Sequence, residues 1–297
     1  MIVRKTAAEL EKMRRAGLLV WQILQTLKDM AVEGISTWDL EVSAAKMMSD
    51  AELIRLRNAF SAFGKNTSGI ALLTNNTLDP KDSQFHWVDQ GLVLQSNAGD
   101  DFNAIDPNLV LDQEGQAWLA FGSFWDGIKM RKLDRKTGKL STEDTALYSL
   151  ASRKRPENPA PPRVGLPPNW QAIEAPFIVH HGDYYYLFVS FDLCCRGTRS
   201  NYKTMVGRSR SVTGPYVDKN SKSMMEGGGS PLLVGNSRWL GPGGESILLQ
   251  KDRDIIVFHA YDATSGHPFL QISTLAWKDG WPSAALDGNQ KSDSSQP

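Results

Sequence analysis

Three segments of this chain repeat one pattern, a turn followed by an aromatic or aliphatic strand, and their spacing leaves few folds open. They are Glu114-Gly-Gln-Ala-Trp-Leu-Ala-Phe-Gly-Ser123, His181-Gly-Asp-Tyr-Tyr-Tyr-Leu-Phe-Val-Ser190 and Lys251-Asp-Arg-Asp-Ile-Ile-Val-Phe-His-Ala260. With Trp118, Tyr185 and Ile255 in equivalent places, the steps are 67 and 70 residues. A step of that length holds a four-stranded sheet with long loops, and a run of such sheets predicts a β-propeller. A degraded copy is expected at 53–73, where Phe60-Ser-Ala-Phe-Gly64 parallels Phe121-Gly-Ser-Phe-Trp125 but Arg55 and Arg57 interrupt the apolar run.

The first 51 residues follow a different period. Thr6-Ala-Ala-Glu9 is a capping box, and Leu10, Met13, Leu18, Trp21, Leu24 and Leu27 keep helical spacing on one face. Gly34 offers a stop, and Ser36-Thr-Trp-Asp39 opens a second helix carrying Leu40, Val42, Ala45 and Met48. The runs Ile2-Val-Arg-Lys-Thr6, Glu11-Lys-Met-Arg-Arg-Ala-Gly17 and Gly34-Ile-Ser-Thr-Trp-Asp-Leu40 resemble the start of a type I methionine aminopeptidase. Nothing after Ala51 continues that family's metal-ligand pattern, so no peptidase activity is implied and the segment reads as a fusion or a misjoined frame.

Composition narrows the partners. Lys plus Arg and Asp plus Glu both number 33, so no net charge draws the chain to nucleic acid, anionic lipid or a polyanion; a neutral ligand fits best. The basic stretch 129–139 is expected to be a solvated hairpin. The two cysteines, Cys194 and Cys195, are adjacent and cannot staple distant segments; they read as two thiols in a tight turn rather than a vicinal disulfide. Among the five histidines no zinc-type pairing occurs. No run approaches the roughly 20 apolar residues of a membrane span, and no leader is evident, so a cytoplasmic monomer is expected from the chain as written. Residues 156–168 read as an extended proline-rich connection, and Gly227-Gly-Gly229 and Gly241-Pro-Gly-Gly244 as turns rather than phosphate loops.

Two acidic motifs carry the functional argument: Ala104-Ile-Asp106-Pro-Asn108 and Ala172-Ile-Glu174-Ala-Pro-Phe177, each at the entrance to a predicted buried strand. Ile on one side and Pro near the other shield such a carboxyl from water, which favours its neutral form and suits a general acid. One such residue reads equally as a turn-capping acid; two in matching positions favour a site.

With Phe102-Asn-Ala-Ile-Asp-Pro-Asn108, Gly122-Ser-Phe-Trp-Asp-Gly-Ile128, Ile173-Glu-Ala-Pro-Phe177, Phe191-Asp-Leu-Cys-Cys-Arg-Gly197 and Phe258-His-Ala-Tyr-Asp262 in this order, residues 61–282 resemble glycoside hydrolase family 43, in particular its endo-1,5-α-L-arabinanases. The resemblance implies a five-bladed propeller that hydrolyses arabinan with inversion through three carboxylates. By motif, Glu174 is then the general acid and Asp106 the group that tunes it. Phe124, Trp125 and Arg196 become candidate substrate-binding residues. His259 becomes a candidate contact for one structural calcium, although many relatives have a Gly-Pro-Gly-His motif where this chain has Gly241-Pro-Gly-Gly244. Relatives are usually secreted.

The family's base belongs to an Asp-Pro motif on the first blade, where this chain has its helical segment. The other Asp-Pro pair, Asp79-Pro80, reads as a hairpin loop. The expected architecture is therefore all-β: an incomplete five-bladed β-propeller of about four blades over 61–285, preceded by an unrelated α-helical segment (1–51) and a junction (52–60), and followed by a disordered tail (286–297). The expected function is arabinan hydrolysis impaired by a missing base, with a noncatalytic carbohydrate-binding propeller as the alternative.

Overall fold

A computed structural model describes residues 66–74, 83, 86, 88–157, 168–251 and 253–286. The methionine-aminopeptidase-like segment, the junction, most of the degraded repeat, Asp79-Pro80, most of the proline-rich connection and the residues after Leu286 lie outside the described residues. The chain divides into two compact units. The described part of the first (Met1–Phe63 with Leu72–Gly91) consists mainly of portions of two strands, β1 (Gly69–Thr74) and β2 (Val88–Gln95), which pair with each other. The second unit (Gly64–Ala71 with Leu92–Pro297) carries all the other strands and every residue of the candidate site.

No α-helix occurs among the described residues. One four-stranded antiparallel sheet runs β3 (Asn108–Leu111), β4 (Ala117–Phe121), β5 (Ile128–Leu133), β6 (Tyr148–Ala151). The next runs β7 (Ile173–His181), β8 (Tyr184–Phe191), β9 (Lys203–Ser209), β10 (Ser230–Val234). A third holds β11 (Trp239–Leu248), β12 (Ile255–Asp262) and β13 (Pro268–Thr274), and a hairpin pairs β14 (Ala276–Lys278) with β15 (Trp281–Ser283). Each sheet meanders in chain order and none closes on itself, as in the blades of a propeller.

Trp118, Tyr185 and Ile255 all fall at the start of the second strand of their sheet, β4, β8 and β12, so the repeat marks one structural position. The second strands of the two four-stranded sheets read as unbroken apolar runs because both of their faces are covered: β4 is buried throughout, and β8 is buried from Tyr185 to Phe191. The flanking strands β3 and β13 alternate instead. The core consequently lies between successive sheets. Val110, Trp118 and Met130 pack with Ile173, Leu187 and Met205, while Tyr186, Phe188 and Val206 pack with Ile256, Phe258 and Trp281.

Three local expectations are corrected. The stretch 129–139 is not wholly solvated, because it begins inside β5. Lys129 is 2% exposed, its ammonium donating to Asp126 Oδ2 at 2.6 Å and Ser149 Oγ at 3.0 Å. Cys194 and Cys195 are joined to each other as a disulfide. Gly241-Pro-Gly-Gly244 is no turn but the interior of β11, where the register with β12 shifts twice. The glycines are needed there for close approach. A Cβ on Gly243 would lie 2.4 Å from Tyr202 Cδ1 and 2.7 Å from Ser190 Oγ.

Candidate active site

Asp106 and Glu174 occupy matching places. Asp106 precedes β3, the first strand of its sheet, and Glu174 is the second residue of β7, the first strand of the next. In both motifs the backbone enters the left-handed region, with φ 54° at Asp106 and φ 54° at Ala175. For a residue with a Cβ this is uncommon, and such strain gathers where geometry serves a site. At Ala175 the strand bulges: the register with β8 holds at Glu174 opposite Ser190 and resumes at Phe177 opposite Phe188.

The Ile-Asp-Pro-Asn motif grips this bulge. Asp106 Oδ2 accepts from the Ala175 N–H at 3.1 Å, and Asn108 Oδ1 accepts from the Ile178 N–H at 2.9 Å. The two side chains stand two residues apart and satisfy two β7 amides on either side of the proline. Asp106 is thereby brought beside Glu174. Burial, followed by the charge of Glu174, raises the Asp106 pKa from 3.8 to about 6 against the opposing pull of the Ala175 amide.

Glu174 is 8% exposed and both its oxygens are engaged. Ser123 Oγ donates to Oε2 at 2.6 Å, and the Tyr202 hydroxyl donates to Oε1. Ser123 stands two residues beyond the end of β4, and Tyr202 stands immediately before β9. Tyr202 is itself buried, which together with the charge of Glu174 raises its own pKa well above 10.

A further carboxyl lies behind this pair. Glu245, in β11, is 3% exposed. Its Oε2 accepts from Ser190 Oγ at 2.7 Å and Thr204 Oγ1 at 3.2 Å, while Oε1 has no protein partner. Burial raises its pKa from 4.5 to about 7; the two hydroxyls and its own backbone amide oppose the shift, and the Glu174 charge adds to it. Sequence reasoning missed Ser123, Tyr202 and Glu245. The first two meet Glu174 across 51 and 28 residues, which no local pattern records. The available signal for Glu245 was an acid placed directly after glycines that crowd a strand.

The other expected residues are distributed around this centre. Phe124 is 4% exposed and belongs to the core, whereas Trp125 is half-buried; both have positive φ, 57° and 45°. Arg196 stands in the loop between β8 and β9, its backbone N–H donating to Ser200 Oγ at 3.0 Å. That loop is anchored by Asp192, which pairs with Arg153 at 2.9 Å and Lys203 at 2.7 Å. His259 packs its ring 5.8 Å from that of Tyr202, burial lowers its pKa, and its Nε2 is buried without a protein partner.

The implied calcium can be tested against these donors. No group of three His, Cys, Asp or Glu side chains among the described residues is arranged to hold a metal. Calcium takes six to eight ligands, mostly oxygen. His259 Nε2, buried and without a protein partner, would supply a single nitrogen contact toward such an ion.

Sheets that meander in chain order and share cores with their neighbours, with carboxyls at the first strands of two of them, have the arrangement of propeller blades. The chain belongs to the glycosyl hydrolases family 43, whose family model matches residues 58–282. It is 48% identical over 224 residues to the extracellular endo-α-(1→5)-L-arabinanase 1 of Bacillus subtilis, covering 75% of this chain and 62% of that one. It is 43% identical over 233 residues to the extracellular exo-α-(1→5)-L-arabinofuranosidase ArbA of Cellvibrio japonicus, covering 77% and 66%. It thus spans less than two thirds of each of these relatives. Among solved structures, the Cellvibrio cellulosa α-L-arabinanase complexed with arabinohexaose superposes with a TM-score of 0.68 at 41% identity, covering 77% of this chain and 72% of that one.

Proposed function

We propose that this chain is an arabinan-directed glycoside hydrolase of the inverting, endo-1,5-α-L-arabinanase type, with Glu174 as general acid and Asp106 as the residue that tunes it. The observation that carries the reading is the clamp on Glu174. A buried carboxyl oriented at both oxygens by Ser123 and Tyr202, with a second carboxyl fixed beside it, is an arrangement suited to proton transfer at a glycosidic oxygen. The likeness to arabinanases supports the substrate, and the balanced charge of the chain suits a neutral polysaccharide.

Inversion also needs a carboxylate base facing a water, about 6.5–9.5 Å from the acid. Asp106 is committed to the Ala175 amide, and Glu245 is enclosed beneath Ser190 and Thr204, so neither suits that task. Hydrolysis is accordingly expected to be weak, since loss of a general base costs roughly 10²–10⁴-fold. The enclosure of these two acids favours one second reading, a binding propeller without turnover.

Release of reducing ends from linear arabinan, measured beside a binding titration, separates the two. The hydrolase reading expects slow release abolished by Glu174→Gln with binding retained. Binding with no release above background would leave only the noncatalytic reading.

A further inference from the structure

Cys194 and Cys195 stand in the loop between β8 and β9, and the disulfide that joins them closes a ring around a single peptide bond. The chain on either side is anchored. The Leu193 N–H donates to Asn201 Oδ1 at 3.1 Å, the Asn201 N–H returns to Leu193 O at 3.0 Å, and the Arg196 N–H donates to Ser200 Oγ at 3.0 Å. Only the two cysteines lie between these anchors, so the bridge decides the path of the backbone there.

That path is an uncommon one. Cys195 has φ 63°, in the left-handed region that residues with a Cβ seldom enter, and in this conformation its N–H donates to the Tyr261 hydroxyl at 2.8 Å. Tyr261 is 5% exposed, and its ring meets that of His259 edge-on at 5.3 Å. The His259 ring in turn lies 5.8 Å from that of Tyr202, whose hydroxyl holds Glu174. The turn therefore rests on the same run of rings that backs the acid.

The bridge can be reached from outside. Cys195 is exposed and Cys194 half-buried, and exposed disulfides are the labile ones, open to exchange with thiols in solution. The chain has no third cysteine, so reduction leaves no alternative pairing within it.

We infer that the Cys194–Cys195 bridge is a thiol-exchange site: a soluble dithiol opens it, and opening frees the turn from Tyr261 and slows turnover at Glu174. One thiolate of the dithiol attacks Cys195 Sγ, the S–S bond breaks, and Cys194 departs as a thiolate that takes a proton from water. The second thiolate of the dithiol then attacks its own partner sulfur in the mixed disulfide and displaces Cys195, which is protonated in the same way. The dithiol is thereby oxidised to its cyclic disulfide and the bridge reduced to two thiols, with two electrons and two protons transferred. With the ring open nothing holds Cys195 in the left-handed region, and its N–H leaves the tyrosine.

Dithiothreitol is the probe, applied to the full folded chain beside a Cys194→Ser/Cys195→Ser variant. Iodoacetamide labelling read by intact mass is expected to find no free thiol before reduction and both cysteines free after it. Hydrogen exchange of the segment 193–201 is expected to quicken about 5- to 10-fold, the protection of one hydrogen bond, in the reduced chain and in the variant alike, with β8 and β9 unchanged. Release of reducing ends from linear arabinan is expected to fall about 2- to 10-fold on reduction and to return when oxidised glutathione replaces dithiothreitol, while the variant responds to neither. Labelling before reduction, no labelling after it, or hydrogen exchange that stays the same overturns the inference. So does release that is equal in the oxidised and reduced chains. No release in either state counts against the hydrolase reading, and labelling and hydrogen exchange then decide the thiol-exchange site on their own.

Discussion

Glu245→Gln offers a measurement whose size follows from the structure. In the folded chain burial raises the pKa of this carboxyl from 4.5 to about 7, so between those values the native state holds a proton that the unfolded chain has released. Stability must then fall as pH rises through that window. Below about 4.5 the proton is on in both states and nothing is lost; above about 7 the full cost of an ionised, enclosed carboxyl is present. At about 1.4 kcal/mol for each tenfold change, the cost comes to about 3 kcal/mol. Glutamine keeps the shape and the oxygen that accepts from Ser190 and Thr204 but never ionises. The expected result in urea denaturation is a gap between the two proteins that grows in favour of Glu245→Gln by about 3 kcal/mol from pH 4.5 to pH 8. Asp106 titrates in both proteins and cancels in the difference. Parallel stability curves over that range would refute the reasoning, because they would mean that Glu245 meets water or a cation.

Two other substitutions probe the same centre. Asp106→Asn keeps an acceptor for the Ala175 amide, so the bulge should survive with a melting temperature unchanged or higher, while release of reducing ends from linear arabinan falls roughly 10²-fold. Gly243→Ala puts a methyl group 2.4 Å from Tyr202 Cδ1 and should cost about 1–3 kcal/mol in denaturation while displacing the tyrosine from Glu174, so activity should fall with stability.

What could be read from the sequence was what recurs or is contiguous. The strands at Trp118 and Tyr185 announce themselves because burial on both faces demands unbroken apolar runs, the strand at Ile255 repeats their turn-then-strand pattern, and a fixed step places each second in its sheet. Asp106 and Glu174 were legible because their flanking residues repeat. Ser123 and Tyr202 were not, since the hydroxyls that hold Glu174 arrive from other strands and leave no trace in spacing. Gly241-Pro-Gly-Gly244 misled because the residues that make turns also permit backbones to crowd, and only the neighbouring side chains of Tyr202 and Ser190 tell which is meant. Lys129 misled in the same way: its charge suggests solvent, but Asp126 and Ser149 satisfy it within the sheet.

The clamp on Glu174 joins two sheets at one carboxyl. Ser123 reaches it from the end of β4 and Tyr202 from the start of β9, so the hydroxyls that fix its two oxygens belong to neighbouring sheets. The orientation of this carboxyl therefore depends on how one sheet is seated against the next, and a substitution that shifts that seating is felt at Glu174 even where it touches nothing in the site.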